Sequence, residues 1–121
     1  MDRHTAGRKA EDVAADFLSG QGLEILLRNY RRKRGELDVV AREREVLVIA
    51  EVRTRADDSY GGAAASVTPR KRGHIVQAAQ QLLQQHKQFA RMPVRFDVIV
   101  VSDVDSIAPS VEWIKHAFDA T

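Results

Sequence analysis

The chain has 121 residues, enough to bury a core and few enough to form a single domain. It contains no cysteine, which excludes disulfides and cysteine-ligated zinc, and no apolar run of about 18 residues that could cross a bilayer. No apolar signal segment follows the first Met, so we expect a cytoplasmic protein without membrane association. The net charge of +2 is too small to indicate nucleic-acid binding by itself.

An amphipathic helix is predicted over residues 5–19. Its apolar side chains recur at helical spacing, at Ala6, Ala10, Val13, Ala14, Phe17 and Leu18. Gly20 and Gly22 are expected to end it. Glu11 lies at the edge of this stripe, and two interpretations stay open. It is either a boundary residue with a hydrated carboxylate or a carboxylate directed at a site on the sheet.

A strand over residues 23–30 is followed by four consecutive cations, Arg31, Arg32, Lys33 and Arg34. These run directly into the segment Gly35-Glu36-Leu37-Asp38. A basic run is usually a solvated loop. Next to acidic residues, it also suits a site that holds both a metal ion and a phosphate backbone. The sequence leaves both interpretations open.

Two further strands form a predicted hairpin around the turn Arg44-Glu45. This register places Val39 opposite Ala50, Val40 opposite Ile49, Ala41 opposite Val48, and Asp38 opposite Glu51. Directly opposed residues have Cβ atoms roughly 5 Å apart. Two carboxylates at that distance repel, so we expect either that one binds a proton or that both bind a metal ion.

The same register assigns side chains to the two faces of the hairpin. One face carries Leu37, Val39, Ala41, Val48, Ala50 and Val52. The other carries Val40, Leu47 and Ile49 near the turn, and Glu36, Asp38, Glu51 and Arg53 at the open end. This distribution predicts a central hairpin covered on both faces, with its polar end in a cleft.

A second helix is predicted to begin at Thr68 and Pro69, which suit the N-cap and the first helical position, and to end near Phe89. The loop of residues 54–67 before it is either a flap beside the site or a plain connection. Cations at the first turn, Arg70, Lys71 and Arg72, are disfavoured by the helix dipole and indicate an anion site there.

The last part of the chain is predicted to add strands. Residues 94–101 read as a buried strand, in which Asp97 either pairs with a nearby arginine or has a role in the site. A short strand is expected over residues 111–114 and one helical turn over residues 115–120. The predicted order is helix, three strands, helix, strand and a short C-terminal strand, which indicates a mixed α/β fold.

Acidic residues fall on the first helix (Glu11), the second strand (Asp38) and the third strand (Glu51). Without cysteine or paired histidines, such oxygen ligands favour Mg²⁺ or Mn²⁺ over zinc. A metal of this kind can activate water and stabilise a phosphoryl transition state. The sequence contains neither a Gly-rich phosphate loop nor a nucleophile elbow.

Several motifs together resemble the bacterial YraN family (uncharacterised protein family 0102), over about Gly7 to Trp113. They are Gly7 with Glu11, Gly35-Glu36-Leu37-Asp38, Glu51-Val52-Arg53-Thr54-Arg55, Tyr60-Gly61-Gly62, Pro69-Arg70-Lys71 and Arg95-Phe96-Asp97-Val98. That family is similar to the PD-(D/E)xK nuclease superfamily and, within it, to Holliday junction resolvases. The resemblance implies one restriction-endonuclease-like domain over residues 1–121, with a mixed central sheet flanked by helices.

The resemblance also assigns roles. Asp38 and Glu51 match the two motif carboxylates, and Glu11 matches the helical acidic residue, so these three would bind Mg²⁺ or Mn²⁺. Arg53 stands where the motif has lysine. Arginine can stabilise charge but stays protonated and cannot act as a base. Lys71 on the second helix is the residue that could replace the lysine if it reaches the site.

The implied function is a metal-dependent endonuclease acting on structured or branched DNA, with Asp38, Glu51 and Arg53 as catalytic residues. The expected nucleic-acid contacts are Arg31, Arg32, Lys33, Arg34, Arg55, Arg70 and Lys71. One alternative is a nucleic-acid-binding module of the same fold that cleaves nothing. Another is an assembly protein that binds through the Gln-rich second helix or the long loop. The chain could also form a homodimer, and the sequence leaves this question open.

Overall fold

The computed structural model describes residues 3–33, 35–55 and 67–120, with side chains from Gly7 onward. Its elements are α1 (Arg3–Gly20), β1 (Glu24–Arg32), β2 (Gly35–Glu43), β3 (Val46–Thr54), α2 (Pro69–Gln85), a 3₁₀ turn (Lys87–Phe89), β4 (Val94–Ser102) and β5 (Ser110–Phe118). Across these residues, the strands form a five-stranded sheet in the order β1-β2-β3-β4-β5. The β3–β4 pair is parallel and the other three pairs are antiparallel. The predicted mixed α/β fold with two helices is confirmed.

The β2–β3 hairpin has the predicted register. Val39 pairs with Ala50, Val40 with Ile49 and Ala41 with Val48, around a turn at residues 44–45. The two-residue turn at Arg44 and Glu45 sets this register, and a slip by one residue would exchange the two faces. No helix among the described residues is both long and apolar enough to span a bilayer.

The two helices cover opposite faces of the sheet. The face under α1 is formed by Ala10, Ala14, Leu18, Leu23, Val39, Ala41, Val48, Ala50, Ile99 and Val101. The face under α2 includes Tyr30, Leu37, Val40, Leu47, Ile49, Ile75, Ala78, Ala79, Leu82, Phe96, Val98, Val100 and Phe118. The hairpin is therefore covered on both faces, as its lack of an outer polar face predicts.

One face assignment was wrong, because Leu37 packs on the α2 face rather than beside Val39. β1 and β2 pair Arg28 with Val39 and Tyr30 with Leu37. The alternation of side chains breaks between these two pairs, where Asn29 has a φ of 53°. Asparagine tolerates this left-handed conformation better than most residues do. The distortion lies next to Asp38 and reshapes the open end of the hairpin.

The ends of the helices follow local sequence signals. Gly22, with a φ of 94°, ends α1 in a Schellman motif, in which the Leu23 N–H donates to the Leu18 carbonyl at 3.0 Å. Thr68 caps α2 as predicted, and Pro69 is its first residue. The prediction that α2 runs to Phe89 was wrong, because the helix ends at Gln85 and a 3₁₀ turn follows.

The C-terminal segment is a full strand, so the predicted helical turn over residues 115–120 was wrong. β5 continues to Phe118, whose ring stacks on Phe96 with centroids 5.1 Å apart. The β4–β5 register shifts between Phe96 and Val98, which forms a bulge. Pairing with β4 and the stacked rings hold this segment extended, although its sequence is short and weakly patterned.

Asp97 bridges this bulge and is fully buried. It accepts hydrogen bonds from Arg95 Nε at 2.9 Å and Arg95 Nη2 at 3.0 Å. Trp113 Nε1 and the backbone N–H of His116 each donate to it at 2.9 Å. The expected pairing with a nearby arginine is confirmed, and Asp97 has a structural role, joining β4 to β5.

Gly35 lets β2 approach α2 closely, and substituting it should separate the two elements. A Cβ at Gly35 would lie 2.3 Å from the carbonyl oxygen of His74, a backbone atom that cannot turn aside. We therefore expect Gly35→Ala to lower the free energy of unfolding by about 1–3 kcal/mol, as overpacking does. Urea denaturation measures this change.

Gly73→Ala is the matched control on α2. Gly73 is a helical residue, and an added Cβ there would meet no atom within 4 Å. This substitution should raise the free energy of unfolding by roughly 0.5–1 kcal/mol, because alanine favours the helix. Equal effects of the two substitutions would contradict the close approach at Gly35.

Candidate active site

Asp38 lies where the β2–β3 ladder ends. The β2–β3 pairs stop at Val39 and Ala50, so the pair predicted between Asp38 and Glu51 is not formed in the ladder. Instead, Asp38 Oδ2 accepts the backbone N–H of Val52 at 2.9 Å. This bond holds the Asp38 carboxylate over β3, beside Glu51.

Glu51 is a buried acid, with only 4% of its surface exposed. Burial raises its pKa to about 7, and the neighbouring Asp38 carboxylate adds to the shift by repulsion and through a hydrogen bond between the two carboxyl groups. The ammonium of Lys71 opposes the shift. The raised pKa agrees with the expected repulsion between the two carboxylates, and metal binding by the pair stays a prediction.

Lys71 reaches the site from α2. Its Nζ lies 2.9 Å from Glu51 Oε1, and its side chain is 43% exposed. The side chain of Thr68 accepts the Lys71 backbone N–H at 3.2 Å, so the helix cap fixes this part of the first turn. Arg53, on β3, brings its Nη2 to 3.8 Å from the same carboxylate oxygen. Two cations therefore approach one buried acid.

Glu11 faces the same region from α1. Burial and the Asp38 carboxylate raise its pKa, while hydrogen bonding with the Asn29 side chain partly offsets this. Its Oε1 is buried, and among the described residues it has no hydrogen-bond partner; the same holds for Arg53 Nε. Glu11 is half-buried, so both interpretations of its carboxylate stay open.

The three carboxylates line one cavity of about 360 Å³, here called the carboxylate cavity. The residues that form its wall are Gly7, Ala10, Glu11, Asp38, Glu51, Val52, Arg53, Thr54 and Lys71. Asp38 also lines two other cavities. One, of about 300 Å³, extends to Thr68, Arg70 and His74 at the start of α2. The other, of about 460 Å³, extends to Arg8, Asn29 and Arg31. The acidic cluster thus has basic residues at its two ends, Arg70 and Lys71 at the α2 end and Arg8 and Arg31 at the α1 end.

The donor atoms of the carboxylate cavity suit a hard divalent cation. Carboxylate oxygens are the ligands that Mg²⁺ and Mn²⁺ prefer, and the unpartnered Glu11 Oε1 leaves one such donor unused. In the described part of the chain, no three His, Cys, Asp or Glu side chains are grouped closely enough to hold a metal ion. The adjacent Asp38 and Glu51 are therefore the primary candidate ligands, and Glu11 as a third ligand stays a prediction.

Some of the residues predicted to contact nucleic acid lie near Asp38 in the structure, and others do not. Arg31, Arg70 and Lys71 line the cavities around Asp38, and Lys33 is exposed. Arg32 bonds to Gln85 and lies over the Tyr30 ring, and Arg55 bonds to Glu112 at 2.9 Å. Neither Arg32 nor Arg55 lines those cavities. Arg34, and the loop residues 56–66 with Tyr60-Gly61-Gly62, lie outside the described residues.

Sequence reasoning missed three residues near the acidic cluster, namely Arg8, Asn29 and His74. Arg8 lies three positions before Glu11, so helical spacing alone could have placed both on one face of α1. Asn29 carries no comparable signal, because its position depends on its left-handed backbone and on pairing across β1 and β2.

Comparison with known proteins places the chain among bacterial relatives of similar length. It is 45% identical to a UPF0102 protein of Pseudomonas savastanoi pv. phaseolicola over 98% of this chain and 96% of the relative. It is 41% identical to a UPF0102 protein of Alcanivorax borkumensis over 96% of this chain and 93% of the relative.

Residues 10–101 match the family described as Uncharacterised protein family UPF0102. This range contains Glu11, Asp38, Glu51, Arg53 and Lys71, and it ends within β4. The family match and the relatives agree with the resemblance that the sequence motifs carry. The chain belongs to the uncharacterised protein family UPF0102, known as the YraN family.

Proposed function

We propose that this protein is a restriction-endonuclease-like, Mg²⁺- or Mn²⁺-dependent endonuclease that hydrolyses phosphodiester bonds in structured or branched DNA. The observation that carries the proposal is the adjacent pair of Asp38 and the buried Glu51, with two cations on the same acid. A buried carboxylate beside a half-buried one is unfavourable, because neighbouring like charges repel, so the pair indicates a function. Perturbed acids in a cavity are typical of catalytic sites.

The element order supports the fold assignment within this proposal. A helix precedes a three-stranded antiparallel unit, and α2 then connects β3 to the parallel strand β4. The motif carboxylates fall on β2 and β3, at the end of the hairpin that is farthest from its turn. The resemblance to the PD-(D/E)xK superfamily implies this placement.

Each residue of the site has a distinct proposed role. Asp38 and Glu51 would hold the metal ion, and Glu11, on α1, is the predicted third ligand. When bound, such an ion supplies a more acidic water and neutralises charge on a phosphate oxygen. Arg53 would contact the scissile phosphate, since guanidinium groups suit phosphate oxygens.

The basic residues at the two ends would hold the DNA backbone. Arg70 is exposed at the start of α2 and lines the cavity of about 300 Å³. Arg31 lines the cavity of about 460 Å³ on the other side of Asp38. A phosphate backbone that crosses Asp38 would meet positive charge on both sides, and such contacts supply affinity that decreases with salt.

A catalytically inactive nucleic-acid-binding module is the second candidate. Arg53 in place of the motif lysine favours it, because an arginine cannot serve as a base. In this alternative, the basic ends keep their function and the carboxylate pair holds at most a weakly bound cation.

The deciding experiment compares wild type with Asp38→Asn and Glu51→Gln on labelled duplex, flap and four-way-junction DNA in Mg²⁺ or Mn²⁺. We expect cleavage by the wild type, and a loss of about 1,000-fold or more in each variant, since metal ions supply several kcal/mol of transition-state stabilisation. Glu45→Gln, in the exposed hairpin turn, is the control and should cleave as wild type does.

The other outcomes separate the candidates. Chelating the metal with EDTA should abolish cleavage. Binding of junction DNA by all four proteins without cleavage would support the inactive module. If none binds DNA at low salt, both nucleic-acid functions are wrong.

A further inference from the structure

We infer that Lys71, carried by α2, is the catalytic ammonium of this site and takes the position that the motif lysine would occupy on β3. The inference rests on the proposed nuclease function and adds a residue to it. In this inference α2, and not β3, supplies the positive charge nearest the reacting phosphate.

The distances favour Lys71 over Arg53. Lys71 Nζ lies 2.9 Å from Glu51 Oε1, a hydrogen-bonding distance, whereas Arg53 Nη2 lies 3.8 Å from the same atom. Two cavities have both Asp38 and Glu51 in their walls, namely the carboxylate cavity and the cavity of about 300 Å³. Lys71 lines both of them, whereas Arg53 lines only the carboxylate cavity. The ammonium therefore occupies the junction where a phosphate crossing Asp38 would lie.

The backbone position of Lys71 is fixed by contacts of α2. The side chain of Thr68 accepts the Lys71 backbone N–H at 3.2 Å, which fixes the first turn. Gly35 allows this part of α2 to lie against β2, since a Cβ there would be 2.3 Å from the carbonyl oxygen of His74. These contacts hold the first turns of α2 beside the strand that carries Asp38.

A cation in the first turn of a helix is disfavoured by the helix dipole. Lys71 offsets this through its contact with the buried Glu51. Arg70, one position earlier, makes no recorded ion pair among the described residues. The lysine thus has a specific partner in the site.

In the reaction, a water oxygen forms a bond to phosphorus, and the bond from phosphorus to one sugar oxygen breaks. The water loses one proton to solvent, and the leaving sugar oxygen takes one proton from solvent. Lys71 donates hydrogen bonds to the attacking oxygen and to a non-bridging phosphate oxygen, where negative charge develops. Its compact ammonium can rotate between them, whereas the planar guanidinium of Arg53 is restricted to a fixed fork of donors.

The test compares wild type, Lys71→Met, Lys71→Arg and Lys87→Met in single-turnover cleavage at saturating junction DNA with Mn²⁺. Lys87 lies on the 3₁₀ turn outside the three cavities, so Lys87→Met makes the same chemical change away from the site. We expect Lys71→Met to lower the rate constant about 100-fold or more, as loss of one charge-stabilising donor does. Lys71→Arg should recover part of that loss, and Lys87→Met should match wild type.

Calorimetry of Mn²⁺ binding to each protein without DNA provides the second measurement. Lys71→Met should bind Mn²⁺ at least as tightly as wild type, because it removes a competing cation from Glu51. A rate loss accompanied by a tenfold or greater loss of Mn²⁺ affinity would overturn the inference, since Lys71 would then only maintain the carboxylate pair.

The remaining outcomes are also distinguishable. If wild type cleaves and Lys71→Met cleaves within threefold of it, the inference is wrong and the proposed function stands. If wild type cleaves none of the substrates, the proposed function and the inference are both wrong.

Discussion

Asp97→Asn should lower the free energy of unfolding by about 3–5 kcal/mol, the range found when one partner of a buried ion pair is removed. Each carboxylate oxygen of Asp97 accepts two hydrogen bonds, from Arg95 and His116 at one and from Arg95 and Trp113 at the other. An asparagine has one acceptor oxygen, so its NH₂ group would face two donors. The half-buried guanidinium of Arg95 would also lose one of its two carboxylate partners and keep Glu43.

Urea denaturation monitored by the single Trp113 measures this loss. The control is Glu112→Gln, which removes one member of an exposed pair with Arg55 and should change stability by less than about 1 kcal/mol. A loss below about 1 kcal/mol in Asp97→Asn would show that the four hydrogen bonds at the bulge do not stabilise the β4–β5 pair as described.

Glu51→Gln should be more stable than wild type at high pH, by about 3 kcal/mol. The pKa of Glu51 is raised from 4.5 to about 7 in the folded protein, and one pKa unit corresponds to about 1.4 kcal/mol. The stability that comes from protonated Glu51 is fully present below pH 4.5 and is lost as the pH rises through 7. Glutamine keeps the neutral form at every pH.

The measurement is the difference in unfolding free energy between Glu51→Gln and wild type, followed from pH 4.5 to pH 8.5. It should grow with pH, whereas the same difference for Glu45→Gln, in the exposed turn, should stay flat. A flat difference for Glu51→Gln would contradict the raised pKa. Added Mn²⁺ should stabilise wild type alone at high pH if it binds the folded site, because ligands that bind only the folded state stabilise it.

The hairpin was predictable from sequence because the residues that pair in it are close together in the chain. The two-residue turn determines the register from Val39 and Ala50 to the turn, and counting from it places Asp38 and Glu51 just beyond the last pair. Leu37 was assigned to the wrong face because the left-handed backbone of Asn29 interrupts the alternation, and no apolar pattern records a positive φ.

The rest of the site depends on contacts between distant segments. That Lys71 reaches Glu51 follows from how α2 packs on β2, and sequence patterns specify the cap of α2 but not its position. Arg32 reads as a free cation in the basic run, yet Gln85, at the end of α2, binds it. The short C-terminal strand predicted over residues 111–114 is present, but its continuation to Phe118 depends on pairing with β4 and was not predicted.

The parallel pairing of β3 with β4 has a consequence for the order of assembly. The β2–β3 hairpin joins neighbours in sequence, so it can form early, and it brings Asp38 and Glu51 together when it does. Lys71 lies in the crossover between β3 and β4, which closes a much longer loop and forms more slowly. We therefore expect the acidic pair to exist for a time without its lysine during folding. In that interval Arg53, on the same hairpin, is already near Glu51, and a proton or a divalent ion from solution can add to its charge. We therefore expect the refolding rate of this chain to depend on pH and on the concentration of divalent ions.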